Sequence, residues 1–215
     1  ITDVVLGSRN MLVIAQSGKI YMWGSNGSGQ IPFTSNSLLP TDITSYINLY
    51  PSETIVEVYN AFRTYYILTS EDRLIGWGTN YNGELLSTES TTINTPVDLT
   101  ESLGLLESET IAQFFPGEYG SSVLTSTGRV LYWGQNQYGE AFIPGPDKIY
   151  IPVDITSYIG LNEGETVAEV MRGRYFTIIR TSDDRFIGAG TNYGYQLGYS
   201  TPSMEFSPAD ITSHL

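Results

Sequence analysis

Four copies of one pattern, about 56 residues apart, fill this chain and leave room for little else. Trp23-Gly24-Ser25-Asn26, Trp77-Gly78-Thr79-Asn80, Trp133-Gly134-Gln135-Asn136 and Ala189-Gly190-Thr191-Asn192 start at intervals of 54, 56 and 56 residues, and Pro40, Pro96, Pro152 and Pro208 follow at a constant 56. Asp42-Ile43-Thr44 recurs from Asp98 (with Leu99), Asp154 and Asp210, and Glu53-Thr54-Ile55 recurs from Glu109 and Glu165 (with Val167). A fixed phase of this length marks one supersecondary unit stacked on copies of itself. The repeats fall at about 1–54, 55–110, 111–166 and 167–215 of a single domain spanning 1–215.

Within a copy the pattern is that of short strands. Ile55-Val56-Glu57-Val58 alternates like a half-buried strand, Tyr65-Tyr66-Ile67-Leu68-Thr69 forms a second, and Arg73-Leu74-Ile75-Gly76-Trp77 a third. The hairpin tips between the last two read Ser17-Gly18, Ser70-Glu71-Asp72, Ser126-Thr127-Gly128 and Ser182-Asp183-Asp184, with Gly or Asp where a tight turn needs positive φ. Thr44, Thr100, Thr156 and Thr212 each open a stretch long enough for one capped helical turn. Residues shared by all copies are scaffold, since a binding site rarely needs the same residue on every repeat. Trp23, Trp77 and Trp133 are therefore expected in the core, at equivalent places.

The stretch from Gly117 through Trp133-Gly134-Gln135-Asn136-Gln137-Tyr138-Gly139-Glu140, matched by Trp23 through Gln30 and Trp77 through Glu84, resembles the repeats of the regulator of chromosome condensation (RCC1). The resemblance covers essentially the whole chain and implies an all-β fold: a β-propeller of four-stranded antiparallel blades. Seven blades, common in that family, would need roughly 390 residues at this period, so four copies imply a fragment whose remaining blades belong to a longer chain. Chain start Ile1-Thr2-Asp3, without initiator Met, fits the same expectation. The copies depart from the family at Asn10, Thr64, Gly120 and Phe176, where it often places His. The fourth copy departs further, with Ala189 for Trp, a glycine moved to Gly194, and Arg180 where the others carry Ile14, Leu68 and Leu124. Restoring Trp at 189 is expected to be neutral or stabilising if the cavity persists.

Composition narrows the function. With 10 Lys and Arg against 23 Asp and Glu, the net charge of −13 opposes nucleic acid and anionic membranes, whose phosphates are held by clustered cations. The chain has no Cys, so no disulfide framework and no cysteine-ligated metal is expected. Glycine-rich Gly24-Ser25-Asn26-Gly27-Ser28-Gly29 lacks the helix that would help cradle a phosphate, and its analogues recur as turns. Glu71-Asp72 and Asp183-Asp184 sit at hairpin tips and are read as solvated turn residues, not as an acid–base pair. Any Ser-His-Asp triad would rest on His214, the sole histidine. No enzyme activity, cofactor or metal is expected.

Candidate binding residues come from segments that vary among copies. Lys19, Arg73, Arg129 and Arg185 follow the hairpin tips and are read as solvated charges. The loop before the second strand reads Asn60-Ala61-Phe62-Arg63, Pro116-Gly117-Glu118-Tyr119 and Arg172-Gly173-Arg174-Tyr175. Tyr and Arg dominate protein-interface hot spots, which makes Phe62, Arg63, Tyr65, Tyr119, Arg174 and Tyr175 the expected contacts for a protein partner. The scaffold signature comprises Trp23, Gly24 and Asn26, Trp77, Gly78 and Asn80, Trp133, Gly134 and Asn136, and Gly190 and Asn192. The expected function is a non-enzymatic protein-interaction module with rigid blades and variable loops. Two alternatives follow from the resemblance: guanine-nucleotide exchange on a small GTPase, and a secreted propeller that inhibits an enzyme. An extracellular or bacterial-surface location is slightly favoured over the cytoplasm.

Overall fold

The computed structural model describes residues 1–32, 35–200 and 203–214. It contains β1 (Asp3–Leu6), β2 (Asn10–Ile14), β3 (Ile20–Gly24), β4 (Ser37–Asp42), β5 (Ile55–Ala61), β6 (Thr64–Thr69), β7 (Leu74–Thr79) and β8 (Thr92–Asp98). The second half repeats the series as β9 (Ile111–Pro116), β10 (Gly120–Thr125), β11 (Val130–Gln135), β12 (Lys148–Asp154), β13 (Val167–Arg172), β14 (Phe176–Thr181), β15 (Phe186–Thr191) and β16 (Met204–Asp210). Consecutive strands pair antiparallel into four four-stranded sheets, one per repeat. These are the blades of a β-propeller fold. The chain divides into two compact units: Ile1–Tyr81 with Leu85–Gly104, and Asn82–Glu84 with Leu105–Leu215.

The blades form because most strands carry β-branched and aromatic residues and the hairpins between the second and third strands have the required turn chemistry. Gly18, Asp72, Gly128 and Asp184 all take positive φ at the tips, as expected from their identities. Glu71, Asp72, Asp183 and Asp184 are exposed there. In every sheet the third and fourth strands slip register at the signature position, so that Trp23, Trp77, Trp133 and Ala189 fall in the slip. The glycine that follows turns the chain at φ between 101° and 114°; a Cβ on Gly78 would lie 2.3 Å from the Arg63 carbonyl oxygen.

Signature asparagines tie down the segment after the third strand. An amide supplies an acceptor and a donor together. Asn26 accepts from the Ile31 N–H at 2.7 Å and donates to the Ile31 carbonyl at 3.0 Å. Asn80, Asn136 and Asn192 accept from Leu85, Ala141 and Leu197 in the same way and donate to carbonyls further along.

In the first unit the core joins both sheets: Leu12, Met22 and Ile31 with Val58, Tyr65, Ile67 and Trp77. Trp77 is fully buried, stacks on Tyr65 at 5.6 Å, and donates its indole N–H to the Gln30 carbonyl at 2.6 Å. In the second unit Trp133 is fully buried, stacks on Phe114 at 6.0 Å and donates to the Glu84 carbonyl at 2.9 Å. Trp23 departs from the expected equivalence: it holds the same place in its strand but is only half-buried, beside an apolar hollow lined by Ile1, Val13, Tyr21 and Pro40.

Two further expectations are corrected. Each helical turn exists, as α1 (Thr44–Ile47) and as 3₁₀ turns at Thr100–Leu103, Thr156–Tyr158 and Thr212–His214, but the threonine side chain does not cap it. Instead Asp42 accepts from both the N–H and the hydroxyl of Thr44, whose hydroxyl oxygen in turn accepts from the Ile20 N–H. The same latch recurs at Thr100, Thr156 and Thr212. The hairpin-tip arginines are not free solvated charges. Arg73 bridges Glu53 and Asp98, both at 2.7 Å; Arg129 bridges Glu109 and Asp154 at 2.7 and 2.8 Å; Arg185 bridges Glu165 and Asp210 at 2.6 and 3.0 Å. Each ties the carboxylate before a blade's first strand to the one that ends its last. Lys19 alone fits the solvated reading, half-exposed and paired with Asp42 at 2.9 Å.

Candidate protein-binding loops

The loops between the first and second strands of the blades are held by backbone bonds that leave their side chains outside. The carbonyls of Arg9, Arg63, Tyr119 and Tyr175 accept the N–H groups of Ser25, Thr79, Gln135 and Thr191, each the residue after the signature glycine, at 2.8–3.1 Å. A repeat-invariant glycine thus fixes the backbone of a residue whose identity varies, which is how a rigid scaffold displays specificity. The tightest loop is Ala61-Phe62-Arg63, closed by a bond from the Arg63 N–H to the Ala61 carbonyl at 2.7 Å, with Phe62 at φ 60°. An aromatic residue in the left-handed region is strained, and such strain concentrates where side chains must be aimed.

In the first unit this loop borders a cleft of about 480 Å³ lined by Ser8, Arg9, Ser25, Gly27, Ser28, Gln30, Phe62 and Arg63. Phe62 and Arg63 are exposed, and the Arg63 guanidinium lies over the Phe62 ring, 4.8 Å from its centre. Tyr65, expected beside them, is not at the surface. It faces the core from β6, fully buried, with its hydroxyl donating to Asn10 Oδ1 at 2.8 Å, and burial raises its pKa. It does not belong to the exposed loop because β6 is buried on both faces, and on its own face Tyr65 stacks on Trp77.

In the second unit three expected residues do come together. The Arg174 guanidinium lies 5.1 Å from the ring centres of both Tyr119 and Tyr175, donates to the Tyr119 hydroxyl, and pairs with Glu118 at 3.4 Å. Tyr119 and Tyr175 are 5.7 Å apart. Tyr138, in the turn after β11, meets Tyr175 edge-on at 5.0 Å. Burial and the neighbouring Glu118 raise the Tyr119 pKa, against the pull of Arg174. Arg174 is held charged, first by its bond to Tyr119. Half the Arg174 side chain remains exposed, so the cluster is preformed yet accessible.

Arg172, in the same loop, is structural. It lies over Tyr132 at 4.4 Å and donates to the Thr177 and Tyr132 hydroxyls at 2.9 and 3.0 Å. Arg9, Glu118 and Tyr138 were missed in the sequence reading. Arg9 had a signal, since it holds the repeat register of Arg63, Tyr119 and Tyr175.

Comparisons with known proteins agree with this architecture. A family model described as the regulator of chromosome condensation (RCC1) repeat matches residues 1–30. An RCC1 repeat-containing protein of Dictyostelium discoideum is 24% identical over 99% of this chain and 44% of its own length. The human probable E3 ubiquitin-protein ligase HERC6 is 26% identical over 97% of this chain and 20% of its own. Yeast RCC1 (Prp20), in a crystal structure with Kap60, superposes with a TM-score of 0.76 at 17% identity, over 98% of this chain and 48% of that one. The chain thus spans about half the length of the Dictyostelium relative and of the yeast chain, or less in the case of HERC6.

Proposed function

Since the chain is built of RCC1-like repeats, we propose that it is a protein-interaction module whose contacts are concentrated in the loops between the first and second strands. The observation that carries this reading is the Tyr119–Arg174–Tyr175 cluster. Its members come from two loops and pack on one another, Tyr175 also meets Tyr138, and the Arg174 side chain stays half-exposed. Aromatic and arginine side chains ordered before binding lose little rotamer entropy on association, which is what makes such residues hot spots. Repeat proteins of this type with known partners support the reading: yeast Prp20 has been crystallised with Kap60 and studied for its binding to Gsp1p and histones.

The experiment is affinity capture with this chain, identification of a partner, and calorimetry on alanine variants. Tyr119→Ala, Arg174→Ala and Tyr175→Ala are each expected to weaken binding at least thirtyfold, about 2 kcal/mol, while Lys19→Ala costs less than about 1 kcal/mol. Equal losses at Lys19 and in the cluster would show that another face binds. Acceleration of nucleotide release from a small GTPase by this chain would replace the reading with the exchange-factor alternative.

A further inference from the structure

The cleft in the first unit brings together two cations that have no carboxylate partner among the described residues. The chain has ten basic side chains, and six of them, Lys19, Arg73, Arg129, Arg174, Arg180 and Arg185, are in ion pairs. Lys148 acts electrostatically on Glu84, and Arg172 is bonded to Thr177 and Tyr132. Arg9 and Arg63 remain, exposed and with no carboxylate partner among the described residues. Both line the same cleft. In a protein of net charge −13, where carboxylates outnumber cations more than two to one, two arginines sharing one hollow without an acid between them need a reason.

From this geometry we infer that the cleft receives a phosphorylated side chain of the partner protein. Ser8, Ser25 and Ser28 add hydroxyls to the two guanidinium groups. That donor set exceeds what the two oxygens of one carboxylate can use, and it suits the three terminal oxygens and near-double charge of a phosphoryl group. The glycine-rich backbone below is not the cradle. The N–H groups of Ser25, Asn26, Ser28 and Gly29 are already bonded to Arg9, Asn36, Gln30 and Asn26, so the two guanidinium groups and the serine hydroxyls are the main donors to the anion. The inference rests on the interaction-module reading for the source of the phosphoryl group, but the chemistry of the cleft can be tested without a partner.

Trp77 supplies a built-in reporter, because its indole N–H is bonded to the carbonyl of Gln30, which lines the cleft. Titration of the ¹⁵N-labelled chain with inorganic phosphate at low salt is expected to shift the Trp77 indole signal and the amides of residues 25–30 saturably, while the Trp133 indole stays fixed. Arg9→Gln and Arg63→Gln are each expected to raise the apparent Kd at least tenfold, with the dispersed Trp77 signal showing that the fold persists; Lys19→Gln leaves the Kd unchanged. A short peptide carrying phosphoserine is expected to compete at the same residues, and its Ser counterpart not to. Absence of a saturable shift, or equal shifts in both arginine variants, would overturn the site while leaving the loop-cluster reading to its own alanine scan. Equal competition by an Asp peptide would overturn the phosphoryl assignment, and failure of every peptide to compete would overturn the partner-borne source.

Discussion

Thr177 donates its hydroxyl to the carbonyl of Glu140 at 2.7 Å, and so takes over in the fourth repeat the bond that an indole makes in the second and third. Trp77 and Trp133 reach the equivalent carbonyls of Gln30 and Glu84. Ala189, where the tryptophan would be, pairs with Thr177 across β14 and β15, and both are fully buried. The carbonyl that an indole would satisfy already has its donor, which weighs against the condition, a persisting cavity, on which acceptance of Trp at 189 was expected.

Ala189→Trp is accordingly expected to destabilise the protein by about 1–3 kcal/mol, as over-packing of a filled core does. Thr177→Val, which leaves the Glu140 carbonyl without its donor, should cost about 1–2 kcal/mol. Chemical denaturation of both variants checks this. An Ala189→Trp protein as stable as the parent would show that room for the indole remains.

The repeat made the scaffold legible. Once the phase was known, Gly78, Asn80 and Trp77 could be assigned from their identities and confirmed by their copies. What failed was the separation of neighbours with different jobs. Tyr65 and Tyr119 sit near one another in the repeat, yet Tyr65 lies in β6 and aligns with Ser121 and Thr177, both fully buried, whereas Tyr119 lies on the variable loop and aligns with Arg63. The arginine brackets also had a signal, because Glu53, Arg73 and Asp98 recur in step as Glu109, Arg129 and Asp154. The contact of Arg174 with Tyr119 had none: the two are 55 residues apart, and only the packing of two blades brings them together.

Acid should dismantle these brackets. Burial pushes the Glu109 carboxyl up, but the Leu106 N–H, the Thr125 and Thr127 hydroxyls and Arg129 hold it down at about 2. Bonds from Thr212 and Arg185 likewise hold Asp210 at about 2, and Glu53, Asp98, Asp154 and Glu165 are lowered in the same sense. A carboxylate depressed in the folded state stabilises it above the unfolded value, about 4 for these groups, and that contribution fades as pH falls toward 2. The denaturant midpoint is expected to fall steeply between those limits. Glu109→Gln should be less stable than the parent at pH 7 and show a shallower acid limb, and Arg129→Met should cost about 1–3 kcal/mol at pH 7, less than for a fully buried pair because the arginine is partly exposed. Parallel acid limbs for Glu109→Gln and the parent would mean that Glu109 titrates as it does in the unfolded chain.

Glu140 runs the other way. Its side chain is buried, and while Oε2 accepts the Tyr138 N–H at 2.9 Å, Oε1 has no hydrogen-bond partner. Burial raises its pKa, and bonds from its own and the Tyr138 N–H, with attraction from Arg172, recover only part of the difference. A carboxyl raised in the folded state contributes its stability in full below the unfolded value and loses it as pH rises through the folded one. The first repeat shows the uncharged solution: Gln30, at the same position, accepts the Ser28 N–H through Oε1 at 3.0 Å. Glu140→Gln retains that acceptor and removes a buried charge, so it is expected to match the parent near pH 4 and to exceed its stability by up to about 1 kcal/mol at pH 7. Denaturant midpoints of the two proteins across that range decide it. A variant less stable than the parent at pH 7 would show that the attraction between Glu140 and Arg172 outweighs the burial of the charge.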